Sequence, residues 1–361
     1  MKSTIQLRFF KMAMLFSLSC GLLFTACSKK SNGPAPTDKT ALQSVTDSAQ
    51  FYYTKTIEGT KPGDYTAGSK AALKAALDAA TAILNDPTSI QATLTNAAAN
   101  LQGAINTYKG AFIGQIAAAN LIGYWKFNGN ANDSSGNSHN GTVTAGHPFF
   151  GAGTPNLTAD RFANAGMAYH FDHGGNIEVP YSPALNPQQM SISLWIRQDT
   201  AGRTINPANC YMVAMNRWNG YKFQTQPFLP FYTVKVFEST PAPGDTTIYD
   251  RDDAGTAIVP GTTWYHLVAT FKPGVEDFYI NGSLVKEWTN TPGAPITLTD
   301  QINFVIGADL PVSKYLTVDA SGNFLVDYGG FWTGDMDDVM FYNIALTGPQ
   351  VQSIYTNQAT Q

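Results

Sequence analysis

Leu121–Thr142 reads L-I-G-Y-W-K-F-N-G-N-A-N-D-S-S-G-N-S-H-N-G-T, and the chain changes character here. Ile122, Tyr124, Lys126 and Asn128 alternate with Gly123, Trp125 and Phe127, the period of a strand with one buried face. Asp133-Ser134-Ser135-Gly136-Asn137 then makes a polar turn headed by a carboxylate. Upstream the sequence is alanine-rich with helical spacing; downstream it is aromatic and rich in Gly, Pro and Asn. The stretch is therefore expected to open a β-sandwich, and a last strand near Gly334–Leu346 to return beside it.

Working downstream, Met167–Phe171 and Asn176–Val179 flank Asp172-His173-Gly174-Gly175 and read as a hairpin. Met190–Arg197 alternates, with Ile192, Leu194 and Ile196 on one face and Trp195 on the other. Trp264–Lys272 and Asp277–Ile280 follow, and Asn281-Gly282 is a type I′ turn signal before Ser283–Trp288. Ile302–Ile306 and Asp337–Tyr342 close the set. About twelve short strands with no helix between them predict an antiparallel sandwich or jelly roll over residues 120–357.

Upstream, residues 38–115 predict three helices. The first, capped at Thr37-Asp38, carries Leu42, Val45, Ala49, Tyr52 and Tyr53; the second carries Leu73, Leu77, Ala80 and Leu84. Asn85-Asp86-Pro87-Thr88 ends the second and caps the third. There Ile90, Leu94, Ala97, Leu101, Ile105, Tyr108 and Phe112 keep 3–4 spacing. An antiparallel bundle is the economical arrangement.

The N-terminus reads as an export signal. Residues 1–26 carry Lys2, Arg8 and Lys11, no acid, and the apolar run Met12–Phe24, which is short for a membrane span. Leu23-Phe24-Thr25-Ala26-Cys27 resembles a bacterial lipobox, which implies acylation of Cys27, and residues 27–37 form a tether. Net charge is −4, and −7 without residues 1–26, which argues against nucleic acid as a partner. Downstream of the tether only Cys210 remains, so no disulfide within a domain and no cysteine-based metal site is expected.

Two family resemblances follow from these residues. Glu58–Ala80, E-G-T-K-P-G-D-Y-T-A-G-S-K-A-A-L-K-A-A-L-D-A-A, with the Ala97–Ile105 helix, resembles a FIVAR-type module, a small three-helix bundle of exported bacterial proteins. The opening stretch, then M-A-Y-H-F-D, S-I-S-L-W-I-R, T-W-Y-H-L-V-A-T-F, D-F-Y-I-N-G-S-L-V and G-D-M-D-D-V-M-F-Y-N-I-A-L-T, is similar to the laminin-G-like branch of the concanavalin A-like superfamily. That fold hosts lectins, adhesion modules and glycosidases, so function must come from the site.

Retaining glycosidases need two facing carboxylates about 5–5.5 Å apart. The β segment holds Glu178, Glu238, Glu276 and Glu287, none with a partner acid at strand spacing, so no enzyme is expected. The resemblance implies a structural calcium ion near Asp133 with Asp337 or Asp338, an oxygen-rich set suited to a hard cation; the alternative is an Asx turn at Asp133 and a backbone bond at Asp338. His170 and His173 read as a strand-end pair rather than metal ligands.

Sugar recognition calls for an aromatic platform beside amides or carboxylates. Trp125, Trp195 and Trp264 match core positions of the family pattern. The ligand candidates are therefore Arg217, Trp218 and Tyr221 in R-W-N-G-Y, and Tyr328 and Trp332 in N-F-L-V-D-Y-G-G-F-W. Core packing is the competing explanation for these aromatics. The expectation is a lipid-anchored cell-envelope protein, of the outer membrane, that binds a glycan without chemistry. An extracellular protein ligand is the alternative.

Overall fold

The structure is a computed structural model describing residues 37–200, 210–226, 228–237, 245–252, 256–323 and 330–360. Cys27, the export signal and Tyr328 lie outside the described residues.

Three helices, α1 (Thr40–Lys55), α2 (Ser69–Asn85) and α3 (Gln91–Gly110), form the N-terminal bundle. Leu42 and Ala49, then Leu73, Leu77 and Ala80, then Leu94, Ala97, Leu101, Ile105 and Tyr108 meet in one core, as 3–4 spacing requires. The apolar period overran the third helix at both ends. Ile90 is its N-cap and 64% exposed, and Phe112 follows its last turn, 45% exposed. The first helix starts at Thr40 on Lys39, which makes no side-chain cap bond, rather than on Thr37-Asp38. A two-residue parallel ribbon, β1 (Glu58–Gly59) with β2 (Tyr65–Thr66), closes the α1–α2 connection.

The remaining strands are β3 (Leu121–Trp125), β4 (Thr142–Thr144), β5 (Asn156–Thr158), β6 (Ala168–Phe171), β7 (Asn176–Val179), β8 (Met190–Gln198), β9 (Cys210–Met215) and β10 (Tyr221–Thr225). After them come β11 (Pro230–Phe237), β12 (Thr246–Asp252), β13 (Tyr265–Lys272), β14 (Gly274–Ile280), β15 (Ser283–Thr291), β16 (Phe304–Ile306) and β17 (Gly334–Tyr342). They build two antiparallel sheets, ordered β12-β11-β10-β9-β16-β7-β4 and β15-β14-β13-β8-β17-β6-β5. This is the antiparallel sandwich of jelly-roll type that the strand spacing predicts.

The opening and closing strands do meet: β3 lies antiparallel on β17, with Trp125 opposite Val339 and Tyr124 opposite Met340. Trp125 faces inward and stacks on Phe304 of the other sheet at 5.5 Å, while its Nε1 donates to the His139 carbonyl at 2.8 Å. Gly123 is required beside it, because a Cβ there would stand 2.5 Å from the Trp125 ring. Asn281 and Gly282 both take positive φ, 50° and 78°, and turn β14 into β15 as a type I′ hairpin.

One reading is corrected. Asp172–Gly175 is not a hairpin: β6 belongs to the eight-stranded sheet and β7 to the seven-stranded one. His173 and Gly174, at φ 41° and 78°, swing the chain from one sheet to the other. A fourth helix, α4 (Gly348–Gln358), also follows β17, opened by a capping box of Thr347 with Gln350. It covers the outer face of the eight-stranded sheet, where Tyr355 stacks on Trp195 and His266 at 5.7 and 5.9 Å. Its other side reaches the helical segment, where Ser353 donates to the Thr60 carbonyl and Gln350 to that of Gly114.

Candidate ligand-binding cleft

On the outer face of the seven-stranded sheet, side chains alternate with those of the core. Tyr221 and Phe223 of β10 point inward, and Lys222 and Gln224 point outward. Lys222 is 2% exposed, with its ammonium 4.7 Å from the Trp218 ring centroid, 5.1 Å from Tyr211 and 5.3 Å from Phe231. Its Nζ donates to Gln224 Oε1 at 2.7 Å, and burial pushes its pKa down to about 8.

The turn between β9 and β10 shapes the edge of this face. Asn216 and Arg217 both take positive φ, 59° and 50°, a strained pair for residues other than glycine. Gly220 closes the turn, since a Cβ there would lie 2.1 Å from the Met215 carbonyl oxygen. The result lifts Trp218 outward at 36% exposure. Arg217 stacks on the indole at 4.7 Å and pairs through Nε with Asp309 at 3.2 Å. Asp309 is wholly buried, and burial raises its pKa to about 6 although Arg217 pulls it down.

Between this turn and the segments on either side of β16 lies an open cleft of about 480 Å³. Asn216, Arg217, Trp218 and Asn219 form one wall; Asp300, Ile302, Leu310 and Lys314 form the other. The pairing of β9 with β16, Ala214 opposite Val305, brings the walls together. A volume of this size with an indole, aliphatic side chains and a few convergent polar groups suits a small-molecule or sugar ligand.

Of the sequence candidates, Arg217 and Trp218 line the cleft. Tyr221 and Trp332 do not, and both are corrected: each is 0% exposed in the sandwich core. Tyr221 opens β10 facing Phe304 and Phe341 and donates its hydroxyl to the Leu185 carbonyl at 2.6 Å. Trp332 is fixed by its amide on the Gly307 carbonyl, with its indole turned inward. Trp264, read as core, precedes β13 and is only half-buried, against Arg197 at 5.4 Å. Asn219, the amide of R-W-N, lines the cleft too; Asn216, Asp300, Ile302, Leu310 and Lys314 were not foreseen. No local pattern marks them, because they converge only through strand pairing.

The acidic candidates sit elsewhere. Asp133 Oδ1 accepts from the Tyr124 and Ser135 amides at 2.9 and 2.8 Å, and Oδ2 from the Ser135 hydroxyl and the His139 amide at 2.8 and 3.0 Å. Burial works to raise its pKa, but these bonds outweigh burial and hold it below the usual carboxylate range. Asp338, at φ 49°, forms a bulge in β17, so Asp337 and Asp338 both turn to the outer face. Arg161 bridges them, pairing with Asp337 through Nη1 and with Asp338 through Nη2 at 2.7 Å. It also donates to the Gln358 carbonyl from Nε at 3.1 Å, and Tyr124 donates its hydroxyl to Asp338 at 2.6 Å.

This arrangement does not fit a calcium ion. The Asp133 oxygens are taken by four protein donors, and a guanidinium stands between the other two carboxylates. Among the described residues no three His, Cys, Asp or Glu form a group that could hold a metal. The fastening expected of a cation is supplied here by Arg161, which ties the loop before β6 to β17 and α4.

Burial and the Asp338 charge together hold the Asp337 carboxyl at about 8, against the pull of Arg161. Unfolded, it titrates near 3.9. Between those values the folded state holds a proton that the unfolded state has released, so stability from this group is complete below about pH 4 and lost as pH rises to about 8. Asp337→Asn carries no such loss. Its free energy of unfolding in urea, relative to wild type, should therefore climb between pH 5 and 8.5 by at least about 1 kcal/mol. Parallel curves would contradict the assignment.

The two sheets and their connections define an antiparallel sandwich domain of jelly-roll type. The chain belongs to the concanavalin A-like lectin/glucanases superfamily, whose family model, of the laminin-G type, matches residues 171–352. No curated protein sequence matches. Solved structures are similar at low identity. Domain 4 of AbnA, an extracellular arabinanase of Geobacillus stearothermophilus solved with arabinotriose, is 20% identical over 65% of this chain and 98% of its own, at TM-score 0.44. The binding domain of Paraclostridial Mosquitocidal Protein 1 is 16% identical over 67% and 53%, at 0.48. The receptor binding domain of botulinum neurotoxin D is 16% identical over 67% and 54%, at 0.45, so the chain spans about half of each toxin domain.

Proposed function

We propose that this is a non-catalytic glycan-binding protein of the cell envelope, acylated at Cys27, whose FIVAR-like helical module carries the sandwich away from the outer membrane. One observation supports the binding reading above others. The exposed part of Trp218 shares an open cleft with the amides of Asn216 and Asn219 and the carboxylate of Asp300. A sugar ring presents an apolar face and a hydroxylated rim, and this combination complements both.

A hydrolytic reading has less support. Glu178 is engaged by Asn303 and by the Val312 amide, and Glu276 is sealed in the core. At the cleft Asp309 is buried against Arg217 rather than presented with a second carboxylate.

The test is a polysaccharide array with the mature chain. Wild type is expected to be captured by at least one polymer, and Trp218→Ala to lose about tenfold in affinity for it, some 1.4 kcal/mol. Equal capture of both proteins would remove the cleft from the account.

A further inference from the structure

Accepting the cleft as a glycan site, we propose that it selects acidic sugars, with a carboxylate or sulfate of the ligand seated on the Lys314 ammonium. The chain as a whole is acidic, at −4, yet cations gather here: Arg217 and Lys314 in the walls, Lys222 behind the indole, Lys235 at the rim. Three of the four are engaged. Arg217 pairs with Asp309, Lys222 donates to Gln224, and Lys235 donates to Asn219 Oδ1 at 3.2 Å.

Lys314 differs. It is half-buried at the end of the 3₁₀ turn Val312–Lys314, and its ammonium has no hydrogen bond or ion pair among the described residues. Asp300 lines the same wall without pairing to it. A partly desolvated ammonium gains most from an anionic partner, because a charge-assisted hydrogen bond restores what burial removed.

The rest of the cleft orients such a ligand. Arg217 and Lys222 each lie 4.7 Å from the Trp218 centroid, so the platform itself carries positive potential. Asp300 accepts from sugar hydroxyls, and the Asn216 and Asn219 amides serve either sign. A neutral sugar would leave Lys314 unpaired beneath it, which costs affinity and creates the discrimination.

Affinity electrophoresis of the mature chain through gels holding polygalacturonate, dextran sulfate or neutral arabinan tests this. Retardation is expected from an acidic polymer and more weakly or not at all from arabinan, falling as salt is raised. The two acidic gels separate carboxylate from sulfate recognition. Lys314→Gln should weaken the acidic interaction about tenfold, whereas Lys61→Gln, an exposed lysine on the helical segment, should leave it unchanged. Retardation by arabinan alone, with Lys314→Gln behaving as wild type, would overturn acid selectivity and leave the glycan reading standing. Equal loss in both lysine variants would mean diffuse attraction and also overturn it. No retardation by any polymer would overturn both.

Discussion

Replacing Arg161 by alanine is expected to destabilise the sandwich by about 3–5 kcal/mol, as loss of one partner from a buried ion pair does. The side chain is only 6% exposed and lies between the Phe162 and Trp195 rings, 4.7 Å from each. Its removal leaves Asp337 and Asp338 facing each other without a cation and strips the Gln358 carbonyl of its donors. It also opens a hole under Trp195 and α4. Urea unfolding of Arg161→Ala measures the cost; a change below about 1 kcal/mol would contradict it. Combining Arg161→Met with Asp337→Asn and Asp338→Asn should recover much of the loss, because no charge is then buried.

Trp332→Ala should be comparably damaging, about 3–5 kcal/mol, for a different reason. Trp332 is among the largest fully buried side chains, so truncation removes apolar contact and leaves a cavity between the sheets. Trp332→Phe keeps most of the volume and should fold. Its glycan affinity should equal that of wild type, since no ligand reaches this position. If Trp332→Phe folds normally but fails to bind, the placement of Trp332 in the core is wrong.

The contrast between Trp218 and Trp332 marks how far the sequence could be read. Both stand in aromatic-rich stretches, and nothing local separates an indole lifted by a strained turn from one turned inward. Strand period was informative where one face is buried: Ile192, Leu194 and Ile196 pack inward, and Trp195 lies on the opposite face as the alternation required. At β17 the bulge at Asp338 breaks that period and puts two successive carboxylates on one face. Arg161, which answers them, lies some 175 residues upstream by chain separation, in a loop without periodicity. The crossing at His173-Gly174 and the capped α4 were likewise missed, because turn residues announce a change of direction but not its destination. For the cleft, R-W-N was legible as a cation, an indole and an amide together. Asp300 and Lys314 join it only through the pairing of β9 with β16.

Calorimetric titration of wild type and Trp218→Ala with the polysaccharide best captured on the array tests the central claim most directly. The account predicts about tenfold weaker binding by the variant at an unchanged melting temperature, the indole being partly exposed and outside the core. Undiminished affinity in a folded Trp218→Ala would contradict it and place the ligand elsewhere on the sandwich.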